Sequence, residues 1–296
     1  MKLAIWRLDQ DLRIVYLNGD YVLRAAATIS VFDRGLLFSD AVYEVVSVID
    51  GRLIDMERHV TRLERSLGEL SINACADWSA VARKLVVEND LKEGLVYLQV
   101  TRGVMDERDY RWPAPDTPPT IFAFAQQRVL VENPMANRGM RIITRPDLRW
   151  RRCDIKTTQL LYASLMKMEA VAAGVDDVWM TRDDLVTEGT SQNAHIVSRD
   201  GVLISHQLDR AILPGVTRIE MLAQAKSLGL AVEERAFSIE EAKDAAEAFI
   251  SSSTLLIMPV VEIDGHRIGD GRPGERTRKI RQSYLAAVHG DHITRP

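Results

Sequence analysis

Cysteine is nearly absent from this chain: Cys75 and Cys153 are the only two in 296 residues. Two thiols at that spacing form neither a redox motif nor a thiolate metal cluster, and a reduced, cytoplasmic setting is the simplest reading. No metal site is read anywhere. No apolar run is long enough to span a bilayer, so no membrane partner is expected. Met1–Gln10 sets Lys2, Arg7 and Asp9 around too short an apolar piece for a signal peptide. Excess positive charge is missing as well. The formal net charge is −4 and the basic residues are scattered, which leaves no electrostatic footprint for nucleic acid. What remains is ordinary for a soluble enzyme, with 46% hydrophobic and 27% charged residues and enough chain for one large or two modest domains.

Lysine is also scarce, eight of 38 basic residues. One of the eight, Lys156, lies in Arg152-Cys153-Asp154-Ile155-Lys156-Thr157-Thr158, between a short polar loop and a helical run from Gln159 to Ala173. A lysine in apolar company becomes a nucleophile or Schiff-base partner. Taken alone, it reads as a surface lysine just before a helix N-terminus.

Along the chain, Ile14–Leu17 and Tyr21–Val22 read as strands around Asn18-Gly19. Val42–Ile49 is a β-branched strand turned back by Asp50-Gly51. Asp55 heads a helix from Met56 to about Leu70, with Val60, Leu63, Leu67 and Leu70 on one face. Asp77 and Ser79 head a second, to about Asn89. Leu95–Thr101 and Thr120–Ala125 are strands on either side of a long loop, Gly103–Pro119, of a length that points to function or disorder. Residues 131–137 read as a linker, dividing a small domain (1–130) from a larger one (138–296). The second half alternates short strands, including Val175–Thr181, Ala194–Val197 and Glu247–Ser252, with helices at Thr217–Leu228, after the Ser238 capping box, and beyond Gly274. Strands outnumber helices and arrive as hairpins, so the expected class is α+β in two domains, not a doubly wound sheet.

Four segments carry candidate chemistry. Leu213-Pro214-Gly215-Val216-Thr217-Arg218 opens a helix whose free N–H groups and Thr217 hydroxyl can cradle an anion, or are simply a helix start. Arg62 can add a fixed cation, or be an exposed helix arginine. Thr187–Asn193 offers Glu188, with Ser191 and Asn193 behind it, to a pyridine nitrogen, and by itself reads more readily as an ordinary turn between strands. Arg108, Tyr110 and Arg111 on the loop, with Tyr43 on its strand, suit a carboxylate. Ser251 to Thr254 ends a strand in four hydroxyls, which can bond a phosphate or a substrate or merely close the strand.

The order and spacing of these segments resemble the fold-type IV pyridoxal-phosphate transaminases, and most of all the D-amino-acid transaminase group. Asp33-Arg34-Gly35 through Asp40-Ala41-Val42-Tyr43-Glu44-Val45-Val46, His59–Leu63, Arg152–Lys156, Glu188–Asn193 and Ile212–Arg218 follow the family's motifs in one register. The resemblance implies a small N-terminal α/β domain and a larger, pseudo-barrel-like C-terminal α+β domain. It implies pyridoxal 5'-phosphate on Lys156 as a Schiff base, with Lys156 as the proton-moving base. Glu188 would pair with the pyridinium, supported by Ser191 and Asn193, and Arg62, Val216, Thr217, Ser252 and Ser253 would hold the phosphate. The substrate carboxylate would meet Tyr43, Thr254 and, from the loop of the other subunit of a homodimer, Arg108 and Tyr110. The implied reaction is ping-pong transfer of an amino group from a D-amino acid such as D-alanine to a 2-oxo acid such as 2-oxoglutarate. The chain departs from the pattern in three places: Tyr110 stands where the family has histidine, after one extra loop residue, and Ser39 and Ala41 replace two glycines. Those changes touch the substrate range, which keeps (R)-amine and branched-chain L-amino-acid transaminases, aminodeoxychorismate lyases and a non-catalytic cofactor-binding protein as alternatives.

Overall fold

The computed structural model describes residues 12–290; Met1–Gln10, read above as no signal peptide, lies outside the described residues. The chain forms two compact units. One comprises the described residues through Arg128 together with Ile155–Thr158, and the other Val129–Asp154 and the chain from Gln159 onward.

In the first unit the chain runs β1 (Ile14–Leu17), β2 (Asp20–Leu23), α1 (Arg34–Phe38), β3 (Ala41–Ile49), β4 (Arg52–Leu53), α2 (Met56–Glu69), α3 (Trp78–Glu88), β5 (Gly94–Thr101) and β6 (Thr120–Gln127). The strands make one antiparallel sheet in the order β2-β1-β6-β5-β3-β4. Side chains alternate across it, as the period of two requires. Val42, Glu44 and Val46 are buried, as are Val96, Leu98 and Val100, while Tyr43, Tyr97, Phe122 and Phe124 point the other way and stack as a half-buried aromatic ladder. α2 buries His59, Arg62, Leu63, Ser66 and Leu67, and α3 buries Trp78, Val81, Ala82, Leu85 and Val86. Asp77 caps α3, accepting from the Ala80 N–H at 2.8 Å.

The second unit runs α4 (Met135–Arg138), β7 (Met140–Pro146), α5 (Leu161–Ala172), β8 (Asp177–Arg182), β9 (Leu185–Gly189), β10 (Asn193–Val197), β11 (Leu203–Ser205), α6 (Val216–Ser227), β12 (Val232–Glu234), α7 (Ile239–Asp244), β13 (Glu247–Ser252), β14 (Leu256–Ile263), β15 (His266–Arg267) and α8 (Glu275–His289). Its sheet is mixed, in the order β12-β11-β10-β13-β14-β7-β8-β9, with β15 on β14. β7 and β8 are parallel, and the crossover that parallel pairing demands is made by α5. Trp179, Ile196, Phe237, Ile250, Met258 and Val260 fill the core. The architecture is α+β and not doubly wound.

Two local readings differ. The stretch read as a linker contains the helical turn α4. Thr187–Asn193, read as a turn, supplies the end of β9 and the start of β10, so only residues 190–192 turn.

Candidate active site

Lys156 is fixed by the start of β3. The Tyr43 N–H donates to the Lys156 carbonyl at 3.0 Å, the Thr158 N–H donates to the Ala41 carbonyl at 3.2 Å, and Thr157 bridges Val42 in antiparallel sense. These bonds tie Ile155–Thr158 to β3 within the first unit, with Thr157 as a single bridge. They place the Lys156 ammonium 4.3 Å from the centre of the Tyr43 ring. Among the described residues no carboxylate pairs with it.

Glu44, one residue on, points to the opposite face and is buried beneath α2. His59 Nδ1 stands 2.7 Å from its Oε2, and Arg62 donates from Nε to Oε1 at 2.8 Å and from Nη2 to Oε2 at 2.7 Å. Burial alone would raise this carboxyl; Arg62 and His59 overcome that and hold it well below the ordinary range. Burial pushes His59 down, against the attraction of Glu44. Arg62 therefore stands in a built ion pair, not as an exposed helix arginine. The carboxylate that holds it was not among the residues singled out from sequence. A glutamate between Tyr43 and Val45 in an apolar strand was the available signal.

The loop residues lie elsewhere in the same unit. The Arg108 guanidinium rests 4.8 Å from the Phe38 ring centre and 5.1 Å from that of Tyr110. Tyr110 is largely exposed, and Arg111 is turned to Asp109 at 2.5 Å.

In the second unit Glu188, near the end of β9, is buried among donors. Arg149 Nη1 donates to its Oε1 at 2.5 Å, and Asn193 Nδ2 and the Leu213 N–H donate to its Oε2 at 3.1 and 3.0 Å. Burial pushes Glu188 up from its ordinary value, while Arg149 and the Leu213 amide pull it back. Arg149 also holds Asp147, from Nε at 2.9 Å and Nη2 at 2.9 Å, and the two carboxylates keep it charged against its burial. Thr187 donates to the same Asp147 at 2.9 Å. Asp147 and Arg149 were missed in the sequence, where Arg149 is one of several arginines around Trp150.

Asn193 also donates to the Leu213 carbonyl at 2.9 Å, and so ties Glu188 to the turn before α6. There Gly215 leaves no room for a side chain: a Cβ would sit 2.0 Å from Asn193 Oδ1. α6 follows at once, with Val216 and Thr217 buried in its first turn. Ser252 accepts from the Leu255 N–H at 3.1 Å and lies 3.3 Å from the Thr254 hydroxyl. Ser253 follows it in the turn after β13. Ser191 is exposed and donates to the Gln192 side chain at 3.0 Å, not to Glu188.

Residues 41–263 match the model of the amino-transferase class IV family. The chain is 37% identical over 278 residues to the D-alanine aminotransferase of Bacillus licheniformis, covering 93% of this chain and 96% of that one. It is 34% identical over 282 residues to the D-alanine aminotransferase of Staphylococcus aureus strain N315, covering 94% and 99%. Its fold is like that of the branched-chain amino acid aminotransferase from Escherichia coli, with a TM-score of 0.83 at 23% identity, covering 93% of this chain and 94% of that one. The donor set fits pyridoxal 5'-phosphate, the cofactor of this family. The first unit offers an amine with no carboxylate partner among the described residues; the second, taken by itself, offers a buried carboxylate oriented by three donors and a helix N-terminus behind a glycine that admits no Cβ, and each is a kind of group this cofactor needs.

Proposed function

Because the chain belongs to the class IV amino-transferase family, we propose that it moves the amino group of a D-amino acid such as D-alanine to a 2-oxo acid such as 2-oxoglutarate, as a cytoplasmic homodimer. Arg108 carries this reading: it stands on a loop beside two aromatic rings, with no carboxylate partner among the described residues, in a chain about one-third identical to D-alanine aminotransferases. A guanidinium so placed suits the α-carboxylate that a D-amino acid and a 2-oxo acid share. Two free thiols, Cys75 and a Cys153 whose burial pushes it up to about 11, fit a reducing compartment.

Pyridoxal 5'-phosphate supplies the electron sink that lets the substrate Cα–H bond break. Lys156 would hold it through Nζ and, once the substrate amine has displaced it, would serve as the base that accepts the proton from the substrate Cα. Tyr43 orients the lysine from the neighbouring strand. Glu188 keeps the proton on the ring nitrogen, and Asn193 keeps Glu188 in place. Arg62, Val216, Thr217, Ser252 and Ser253 bind the phosphate; Ser191, given its exposure, contributes through Gln192. Arg108, Tyr110, Tyr43 and Thr254 receive the substrate, with Arg108 and Tyr110 supplied by the other subunit.

The test is a visible-absorbance titration of the cofactor-loaded enzyme with D-alanine, L-leucine and (R)-1-phenylethylamine, each added without an acceptor. Loss of the resting band with D-alanine alone is the expected result. Loss with L-leucine or the amine instead would keep the aminotransferase and discard the D-amino-acid assignment.

A further inference from the structure

The loop that carries Arg108 has no helix or strand of its own between residues 105 and 119. Ordering so long a stretch costs conformational entropy, and something must offset it. Two buried arginines do so. Arg34 is 3% exposed, and its Nε donates to Asp40 at 2.7 Å. Its Nη1 reaches the carbonyls of Asp109 at 2.8 Å and Arg111 at 3.1 Å, the two residues flanking Tyr110, and lies 2.9 Å from Met105 Sδ. Arg102 shares the same Asp40, from Nε at 2.7 Å and Nη2 at 3.0 Å, and its guanidinium stands 4.1 Å from the Trp112 ring centre. One carboxylate thus anchors two planar forks, and each fork grips the loop at a different point.

Phe38, at the end of α1, gathers what those forks deliver. Its ring lies 4.5 Å from the Arg34 guanidinium, 4.8 Å from that of Arg108 and 5.4 Å from the Tyr110 ring. An aromatic face attracts a guanidinium without consuming its N–H donors. Arg108 is therefore held in direction and keeps its donors for a ligand.

We propose that Phe38 and Arg34 are positioning residues for the carboxylate-binding arginine: Phe38 sets the direction of the Arg108 guanidinium, and Arg34 sets the course of the loop around Tyr110. Neither touches the substrate, yet together they decide how tightly a carboxylate is held. This inference rests on the reading of Arg108 given above. Its effect falls on both half-reactions, because amino donor and 2-oxo acceptor present the same carboxylate.

The experiment is steady-state kinetics of the holoenzyme with D-alanine and 2-oxoglutarate. Phe38→Leu is expected to raise both KM values by about threefold to tenfold, the range of one cation–π contact, with kcat within about twofold. Phe38→Tyr, which keeps the aromatic face, should restore both KM values. Arg34→Lys, whose point charge cannot serve Asp40 and two carbonyls at once, should raise KM further and quicken proteolysis between residues 105 and 112. Phe38→Leu in an Arg108→Ala background should add nothing. Unchanged KM values in Phe38→Leu while Arg108→Ala raises them would overturn the positioning role alone. So would an equal rise from Phe38→Leu with and without Arg108. Unchanged KM values in Arg108→Ala itself would overturn the underlying reading and this inference together.

Discussion

The Lys156 ammonium stands 4.3 Å from the centre of the Tyr43 ring, and the Tyr43 N–H donates to the Lys156 carbonyl at 3.0 Å. One residue thus fixes the lysine twice, by backbone and by ring. The sheet that carries Tyr43 is the rigid support, since β3 pairs with β5 along nearly its whole length. Removing the amine should therefore cost chemistry and not structure. Lys156→Ala is expected to lower kcat by at least about 10²- to 10⁴-fold, the usual contribution of a positioned base, with its Tm close to that of the parent. Added ethylamine should restore part of the rate if the amine moves the proton. An absence of rescue together with an unchanged Tm would assign Lys156 to cofactor attachment alone.

Glu188 and Arg149 should part company under mutation. Glu188→Gln can keep the bonds from Asn193 and Leu213 on its one remaining oxygen, gives up the bond from Arg149 and removes the charge that faces a ring nitrogen. We expect kcat to fall about 10²-fold, as for loss of one electrostatic stabiliser, with smaller changes in KM. Arg149→Met instead leaves Glu188 and Asp147 buried without their shared cation. Breaking a buried pair in this way costs about 3–5 kcal/mol, and it should appear in urea unfolding before it appears in any rate. A Glu188→Gln variant with full kcat would remove that residue from the ring nitrogen.

The Glu44–His59–Arg62 cluster predicts an acid limit to stability, with the sign fixed by the two directions of shift. His59 is lowered in the folded state, so below about 6.5 the unfolded chain binds a proton that the folded one refuses, and stability falls. Glu44 is also lowered, so its contribution is present above about 4.3 and is lost as the pH drops further. The Tm should fall in two stages, first below about pH 6.5 and then below about pH 4.3. His59→Gln should make the first stage shallower and leave the second; the remainder of the first stage belongs to His195, which burial and the Arg218 charge also hold low. A Tm profile of His59→Gln that falls as steeply as the parent's between about pH 6.5 and 5 would remove His59 from the first stage.

What could be read from sequence and what could not divide along a physical line. Lys156, Glu188 and the Gly215–Thr217 helix start were singled out because their short segments follow the family's motifs in one register; the local chemistry of each, taken alone, suited a plain structural reading as well. Partners across the fold are another matter. Arg149 sits among Arg145, Arg151 and Arg152, and nothing near it says which guanidinium will meet a carboxylate 39 residues on. The same holds for Arg34, whose targets lie 75 and 77 residues away. Hairpins were legible because their turns are local, as at Asn18-Gly19 and Asp50-Gly51. The parallel neighbours β14 and β7 were not, because their pairing spans more than a hundred residues. The lysine segment shows the limit most clearly. It lies within the stretch read as the C-terminal domain, yet its backbone bonds to Ala41 and Tyr43 draw Ile155–Thr158 into the first unit.

Gly215 separates steric from conformational causes, because its backbone angles, φ −65° and ψ 130°, suit any residue. An alanine there meets no Ramachandran penalty and should slightly stiffen the unfolded chain. Its Cβ, however, would lie 2.0 Å from Asn193 Oδ1. Asn193 must then move, and its bonds to Glu188 and to the Leu213 carbonyl move with it. Overpacking of this kind costs about 1–3 kcal/mol. Gly215→Ala should therefore lower the Tm and weaken retention of pyridoxal 5'-phosphate, since the start of α6 and the orientation of Glu188 shift together. Asn193→Ala removes the obstructing oxygen, so in that background Gly215→Ala should cost little more. The two changes would then be strongly non-additive in Tm and in the cofactor dissociation constant. Additive losses would mean that Gly215 is required for a reason other than the approach of Asn193, and the link from Glu188 through Asn193 to the helix start would have to be abandoned.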